Sequence, residues 1–154
     1  MPDARLAPRP PNPLNPFSHS LRVYWEDTDA GGVVFYANYL KFFERARTEW
    51  LRAFGLGQQR LRDDTGAIFI VTDTALHYLA PARLDDVLDI TVTTTGQGRA
   101  SMALAQQAWH GATLLCEGRI RIACVDAASF KPRRFPPQLG ALWADAACSA
   151  GATT

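Results

Sequence analysis

Cysteine, methionine and histidine are scarce in this chain and its charges nearly cancel, which removes several classes of function before any motif is read. Three cysteines and three histidines are spread over 154 residues. Cys116, Cys124 and Cys148 have no C-x-x-C spacing and no clustered histidines beside them, so neither a zinc site nor a thiol redox pair is expected. Cys116 and Cys124 stand an even number of residues apart in a strand-like run, which reads as two small apolar fillers of one face. An odd number of unpaired thiols suits a reducing compartment, and the expected location is cytoplasmic. A formal net charge of +1 gives no electrostatic basis for wrapping nucleic acid or coating an anionic membrane. No run approaches the ~18 apolar residues of a membrane span, and the first residues lack the apolar core of a signal peptide. No G-x-S-x-G occurs, which excludes a serine-hydrolase elbow. Gly96-Gln97-Gly98-Arg99 opens like a dinucleotide fingerprint, but it lacks the third glycine and links two strands, so it reads as a hairpin. No cofactor is called for.

What remains is one domain's worth of chain, with 47% hydrophobic and 20% charged residues, enough to bury a core. Six of the ten prolines fall within residues 1–17. Proline removes amide donors and favours extended backbone, so 1–17 reads as an arm, 18–135 as the folded domain and 136–154 as a tail. In that tail Leu139, Leu142 and Trp143 suggest a short helix. Leu21, Val23 and Trp25 alternate with Arg22, Tyr24 and Glu26 as in a half-buried strand. Asn38 then caps a helix with apolar positions Leu40, Phe43, Ala46, Trp50 and Phe54, stopped at Gly55 and Gly57. Four long strands follow. In residues 67–79 Ile68, Ile70, Thr72, Thr74, Leu76 and Tyr78 share one face, and Pro81 ends the run. Residues 87–95 alternate about Leu88, Ile90, Val92 and Thr94; 99–109 and 112–125 are joined at His110-Gly111. The last strand carries apolar groups on both faces and is expected to be central. The class is therefore α+β, a sheet of about five antiparallel strands curling around one long helix. Its exposed edges call for a second copy to continue the sheet.

The chemistry concentrates between the first strand and the helix, in Glu26-Asp27-Thr28-Asp29-Ala30-Gly31-Gly32-Val33-Val34-Phe35-Tyr36. Carboxylates and two glycines precede a helix start, where unpaired N–H groups and a partial positive charge can stabilise an oxyanion. A carboxylate there can attack a carbonyl or activate water. Glu26, Asp27 and Asp29 have no histidine nearby and no recognisable ligand spacing, so no metal is expected, and Asp27 is read as fixing the loop through backbone hydrogen bonds. His77, on the strand face of Phe69, Val71 and Leu79, is read as a satisfied structural histidine; His19 and His110 are expected to be exposed, on an arm and at a turn.

This run resembles the signature of the 4-hydroxybenzoyl-CoA thioesterase family, most closely its branch of short-chain acyl-CoA thioesterases associated with the Tol-Pal system. The similarity continues through Phe43-Glu44-Arg45-Ala46-Arg47-Thr48-Glu49-Trp50-Leu51 and Tyr78-Leu79-Ala80-Pro81-Ala82-Arg83-Leu84-Asp85-Asp86 to Lys131-Pro132-Arg133. The resemblance implies a hotdog fold, a dimer or a tetramer of two dimers, and hydrolysis of short-chain or aromatic acyl-CoA to free acid and CoA. By position Asp29 matches the catalytic aspartate, Tyr36 supplies the N–H that polarises the thioester carbonyl, and Gly32 lets substrate pass close to the main chain. Tyr36 stands where the Tol-Pal-associated branch usually has histidine and the aromatic branch tyrosine; a phenol is a poor base near neutral pH, which leaves Asp29 without a neighbouring imidazole. Val34, Lys131 and Arg133 are the candidate substrate or CoA contacts. Lys131, Arg133 and Arg134 form a basic cluster suited to the phosphates of CoA, or else a solvated or interface cluster; Arg119 and Arg121 share one strand face. Two further functions stay open. One is hydrolysis on an acyl carrier protein, whose acidic surface the same cluster fits; the other is a non-catalytic acyl-CoA-binding module. A membrane-associated partner is implied by the resemblance alone.

Overall fold

The computed structural model describes residues 17–137 and Leu139. Five strands, β1 (Phe17–Arg22), β2 (Ala67–Tyr78), β3 (Val87–Gln97), β4 (Ser101–His110) and β5 (Thr113–Asp126), form one antiparallel sheet in the order β1-β3-β4-β5-β2. The long helix α1 (Asn38–Ala53) lies across one face of it, and a short helix α2 (Gln58–Thr65) leads into β2. This is the hotdog arrangement that the resemblance implied. Strand β1 takes in Phe17, the last residue of the expected arm, which is buried. The rest of the arm, Leu142 and Trp143 lie outside the described residues.

The core is built from the inward faces of the strands, Leu88, Ile90 and Val92 of β3, Met102 and Leu104 of β4, Ile120 and Ile122 of β5, against one stripe of α1. That stripe is Tyr39, Phe42, Phe43, Ala46, Trp50 and Leu51. The expected stripe included Leu40 and Phe54 instead, but both are exposed; the buried face is rotated toward Tyr39 and Phe42, the positions one helical turn before Phe43 and Ala46. Helix and sheet approach closely at Gly118, where an added Cβ would lie 2.8 Å from Phe43 Cε2 and 2.7 Å from Leu76 Cδ2. Nearby, fully buried Gln106 donates through Nε2 to the carbonyl oxygen of Phe43 (3.0 Å) and accepts through Oε1 from Arg47 (2.9 Å). A polar side chain at an inward strand position is thereby satisfied and locks the middle of α1 to β4.

Three expectations are corrected. First, the alternation through Trp25 does not continue as a strand. The carboxylate of Asp27 accepts the Tyr24 N–H at 2.8 Å and draws the chain into a single 3-10 turn, Trp25–Asp27, leaving Trp25 80% exposed. Second, β2 does not keep one face throughout. Val71 pairs with Ile122 and Asp73 with Arg121, so Thr72 is an extra residue in a bulge, and the inward set passes from Phe69 before it to Leu76 and Tyr78 after it. His77 consequently points away from the core and is exposed. Third, His19 lies within β1, half-buried, facing Arg45 and Glu49 of α1. His110, at the end of β4 beside the turn, is exposed as expected, 3.7 Å from Asp86. Helix α2 escaped the sequence reading because Leu61 is its one buried residue, too little to show an apolar period. Cys116 and Cys124 are buried free thiols, and burial pushes the Cys116 thiol up to about 12.

Candidate active site

The loop between β1 and α1 is built outward from Asp27. Its carboxylate is committed to the Tyr24 amide inside the fold, and its carbonyl oxygen accepts both the Phe35 N–H and the Asn38 side-chain amide, each at 2.9 Å. Asn38 is thus not a helix cap. It is the first helical residue, and its side chain straps the helix start to the loop. Between these ties the chain makes a tight turn: the Asp29 N–H donates to the Val33 oxygen (2.8 Å) and the Gly32 N–H to the Asp29 oxygen (3.0 Å). Gly32 sits at φ +80° with nothing within 4 Å of a built Cβ, so it is the left-handed backbone, rather than lack of room, that calls for glycine there. The Asp29 carboxylate accepts the Gly31 N–H at 2.8 Å and is otherwise open to solvent, held in orientation but accessible.

Val34 returns the chain to the fold. Its N–H donates to the Ala82 oxygen at 2.9 Å and its side chain is buried, which places it in the core beneath the loop. The helix start follows immediately. Asn38 N–H donates to the Phe35 oxygen (2.8 Å) and Leu40 N–H to the Ala37 oxygen (3.1 Å), while the Tyr36 and Ala37 amides have no hydrogen-bond partner among the described residues. Two donors at the positive end of α1 are therefore free beside the loop that presents Asp29. Aromatic rings border them: Tyr36 meets Phe35 at 4.8 Å and Tyr78 at 6.3 Å between centroids, and Tyr78 meets Tyr39 at 5.6 Å. Burial raises the Tyr39 phenol above its ordinary value, opposed by its hydrogen bond from Ala82, and desolvation likewise raises Tyr78. Both phenols are protonated at neutral pH and Tyr78 is a donor. Its hydroxyl donates to the Tyr36 carbonyl oxygen at 2.8 Å.

The basic cluster resolves differently from its sequence. Arg133 is engaged within the chain, donating to the Thr65 oxygen at 2.6 Å and facing Asp126 at 3.8 Å, where it ties the end of α2 to the end of β5. Lys131 is exposed. An open cleft of about 500 Å³ is instead lined by Arg134 together with Arg99, Gln97 and Phe135. Sequence reasoning passed over Arg99; its position at the β3–β4 turn, opposite the end of β5, was the available signal. A second cleft of about 200 Å³ opens between α1 and β2, with Trp50, Phe69 and Met102 in its walls and Glu44 and Arg47 lining it as well. Asp29, Gly32 and Tyr36 share the loop that leads into α1, but Lys131, Arg133 and Arg134 lie at the other end of the sheet. The loop meets β2 at Tyr78, whereas the basic residues follow Asp126, the partner of Ala67. Over the 12 residues of β2, at ~3.3 Å each, these ends are roughly 36 Å apart.

A five-stranded antiparallel sheet over one long helix is the hotdog fold, and the chain belongs to a family built on it: the model of the thioesterase-like superfamily matches residues 23–142. Among its relatives, the acyl-CoA thioesterase YbgC of Haemophilus influenzae is 41% identical over 127 residues, 82% of this chain and 93% of that protein. The acyl-CoA thioester hydrolase YbgC of Escherichia coli is 44% identical over 124 residues, 80% of this chain and 92% of its own length. The crystal structure of a probable thioesterase from Bartonella henselae superposes with a TM-score of 0.75 at 33% identity, covering 79% of this chain and all of that one.

Proposed function

We propose that this member of the superfamily is an acyl-CoA thioester hydrolase in which Asp29 is the reacting carboxylate, acting on short-chain or aromatic acyl groups. What supports the mechanism is that one short loop carries an accessible, oriented Asp29 carboxylate and leads directly to the unpaired Tyr36 and Ala37 amides at the helix start. The thioester carbonyl oxygen accepts from the Tyr36 N–H, and negative charge gathers on it as the carbonyl carbon is attacked. Asp29 either attacks itself, giving a mixed anhydride that water then opens, or takes a proton from the attacking water. In both cases the C–S bond breaks and the electron pair leaves with the CoA sulfur, which is released as the thiol. Gly32 keeps the main chain low where the substrate passes, and Val34 acts from the core by holding the loop's return rather than by touching substrate.

The unpaired edge of β2 supports a dimer as the active unit. Val71, Tyr78 and Leu79 are exposed there, an apolar edge that a soluble protein covers. A two-fold pairing of β2 with its copy runs antiparallel and sets the partner's basic end beside this chain's Asp29 loop. Arg99, Arg134 and Lys131 of one subunit then serve the phosphates of CoA bound at the other. The cleft between α1 and β2 faces the same interface and is suited to the acyl group.

Thiol release from a panel of CoA thioesters, acetyl to palmitoyl with benzoyl and 4-hydroxybenzoyl, tests the reading with Asp29→Asn alongside. A general-base role alone predicts a loss of about 10²- to 10⁴-fold. Turnover indifferent to Asp29 overturns the mechanism, and binding without turnover points to a sensor module. Since an acidic carrier protein would fit the same arginines, acyl-carrier substrates belong in the panel; faster turnover there reassigns the substrate. A cytoplasmic location is part of the proposal, and cell fractionation tests it.

A further inference from the structure

We propose that Tyr78 is a positioning residue for this reaction, setting and polarising the peptide unit at the start of α1 whose N–H belongs to Ala37. The inference rests on the reading of Asp29 and the helix start given above, and it extends that site to a second oxyanion donor. The Tyr78 hydroxyl donates to the Tyr36 carbonyl oxygen at 2.8 Å. That carbonyl shares its peptide plane with the Ala37 N–H, which has no partner among the described residues. A hydrogen bond accepted at the C=O end of a peptide strengthens donation at its N–H end. Tyr78 therefore fixes the direction in which the Ala37 N–H points and makes it a better donor to charge developing on a thioester oxygen. The first turn of the helix leaves room for this: Leu40 donates to the Ala37 oxygen, three residues back, at 3.1 Å.

Two features of β2 deliver the hydroxyl to this place. The bulge at Thr72 changes which residues face α1, so that Leu76 and Tyr78 point toward the helix while Phe69 does so on the other side of the bulge. Bulges recur beside functional sites because they re-aim side chains in this way. Beyond the strand, the Leu79 and Ala80 amides both donate to the Leu115 oxygen, at 2.8 and 3.1 Å, anchoring the backbone that carries Tyr78. The ring itself is wedged against Tyr36 and Tyr39, which limits its rotamers. A strand edge thus acts together with the loop's own ties in setting the backbone geometry at the helix start.

Tyr78→Phe removes the hydroxyl and keeps the ring contacts. Deleting an oxyanion donor outright costs about 10²- to 10³-fold in kcat; weakening and freeing one is expected to lower kcat by about 10-fold with KM within about twofold. The melting temperature and sedimentation of the full-length protein should match the parent. In carbonyl-detected NMR of the unliganded protein the Tyr36 ¹³C=O resonance should move upfield, with the Ala37 amide proton following. An unchanged kcat in Tyr78→Phe, while Asp29→Asn remains inactive, overturns this inference and leaves the proposed function standing. A parallel loss of kcat, fold and oligomer shows a structural role alone and overturns it too. If Asp29→Asn is active, the proposed function fails first, and the inference goes with it.

Discussion

Gly118→Ala is the substitution that most directly tests how the helix is seated on the sheet. The new Cβ would stand 2.7 Å from Leu76 Cδ2, 2.8 Å from Phe43 Cε2 and 3.4 Å from Phe43 Cδ2, against the ~3.5–4.0 Å that carbon pairs prefer. Both close atoms must therefore retreat by about 0.7 Å or more. Phe43 has little freedom to do so, because it is fully buried and its carbonyl is held by Gln106; Leu76, partly buried on the edge strand, yields first. Overpacking of this kind costs about 1–3 kcal/mol, and the stiffer unfolded chain that alanine brings returns about 0.4–1 kcal/mol. The expected net loss is about 1–2 kcal/mol, or roughly 2–8 °C in melting temperature for a chain of this size. Urea unfolding should show a lower midpoint at unchanged slope. Adding Leu76→Ala should make room for the methyl, so that the double variant loses less than the sum of the two single losses. A Gly118→Ala protein as stable as the parent, or strictly additive losses, would show that the sheet does not limit the helix at this point.

Gln106→Leu keeps the volume but deprives the Phe43 oxygen and the Arg47 guanidinium of their partner, and should cost about 2–3 kcal/mol in urea unfolding. Burial lowers the pKa of His19 below its ordinary 6.5, Glu49 opposing and Arg45 assisting. The unfolded chain thus takes up the proton first, so this contribution is intact above about pH 6.5 and is lost as pH falls through the lowered folded pKa. A urea midpoint lower at about pH 5 than at about pH 7.5 is expected, with the difference smaller in His19→Gln. With its thiol pushed up to about 12 by burial, Cys116 should resist a disulfide reagent in the folded protein and react on unfolding, measured in a Cys148→Ser background.

The elements with regular periodicity were the ones legible in the sequence. The four strands after the helix and the helix itself announce themselves by alternation and by three- and four-residue spacing, and the carboxylate–glycine run marks the loop that the structure sets beside the helix start. What was not legible depends on particular hydrogen bonds and pairings that leave no period in the sequence. Trp25 leaves its strand because a carboxylate two residues on captures a backbone amide. Thr72 bulges because its neighbours Val71 and Asp73 pair with the consecutive residues Ile122 and Arg121, some fifty residues later, and that one extra residue decides that His77 faces out and Tyr78 faces the helix. Arg133 and Arg134 are neighbours with the same chemistry, yet one is engaged by Thr65 while the other lines a cleft. Gln106 was readable in principle, as a polar residue in the inward alternation of Met102, Leu104 and Ala108, though its partner was not.

The separation of Asp29 from the arginine-lined cleft turns the question of oligomeric state into one of catalysis, and complementation between variants can answer it. In the proposed dimer each site combines Asp29 of one subunit with Arg99 and Arg134 of the other. Asp29→Asn homodimers then have two sites without the carboxylate, and Arg99→Ala/Arg134→Ala homodimers have two sites that bind CoA poorly. A heterodimer of the two has one site with both defects and one with neither. Co-expressed equally and paired at random, the two chains should recover about a quarter of parental activity at low substrate, although neither has it alone. Val71→Lys, a charge on the open edge of β2, should abolish that recovery by preventing pairing. Heterodimers that form, by sedimentation or tagged pull-down, yet recover nothing would mean that one chain supplies the whole site. Arg99 and Arg134 would then serve the carboxylate of their own chain, and the exposed edge would owe its apolar character to assembly alone; an Arg99→Ala/Arg134→Ala protein as active as the parent would remove the cleft from CoA binding.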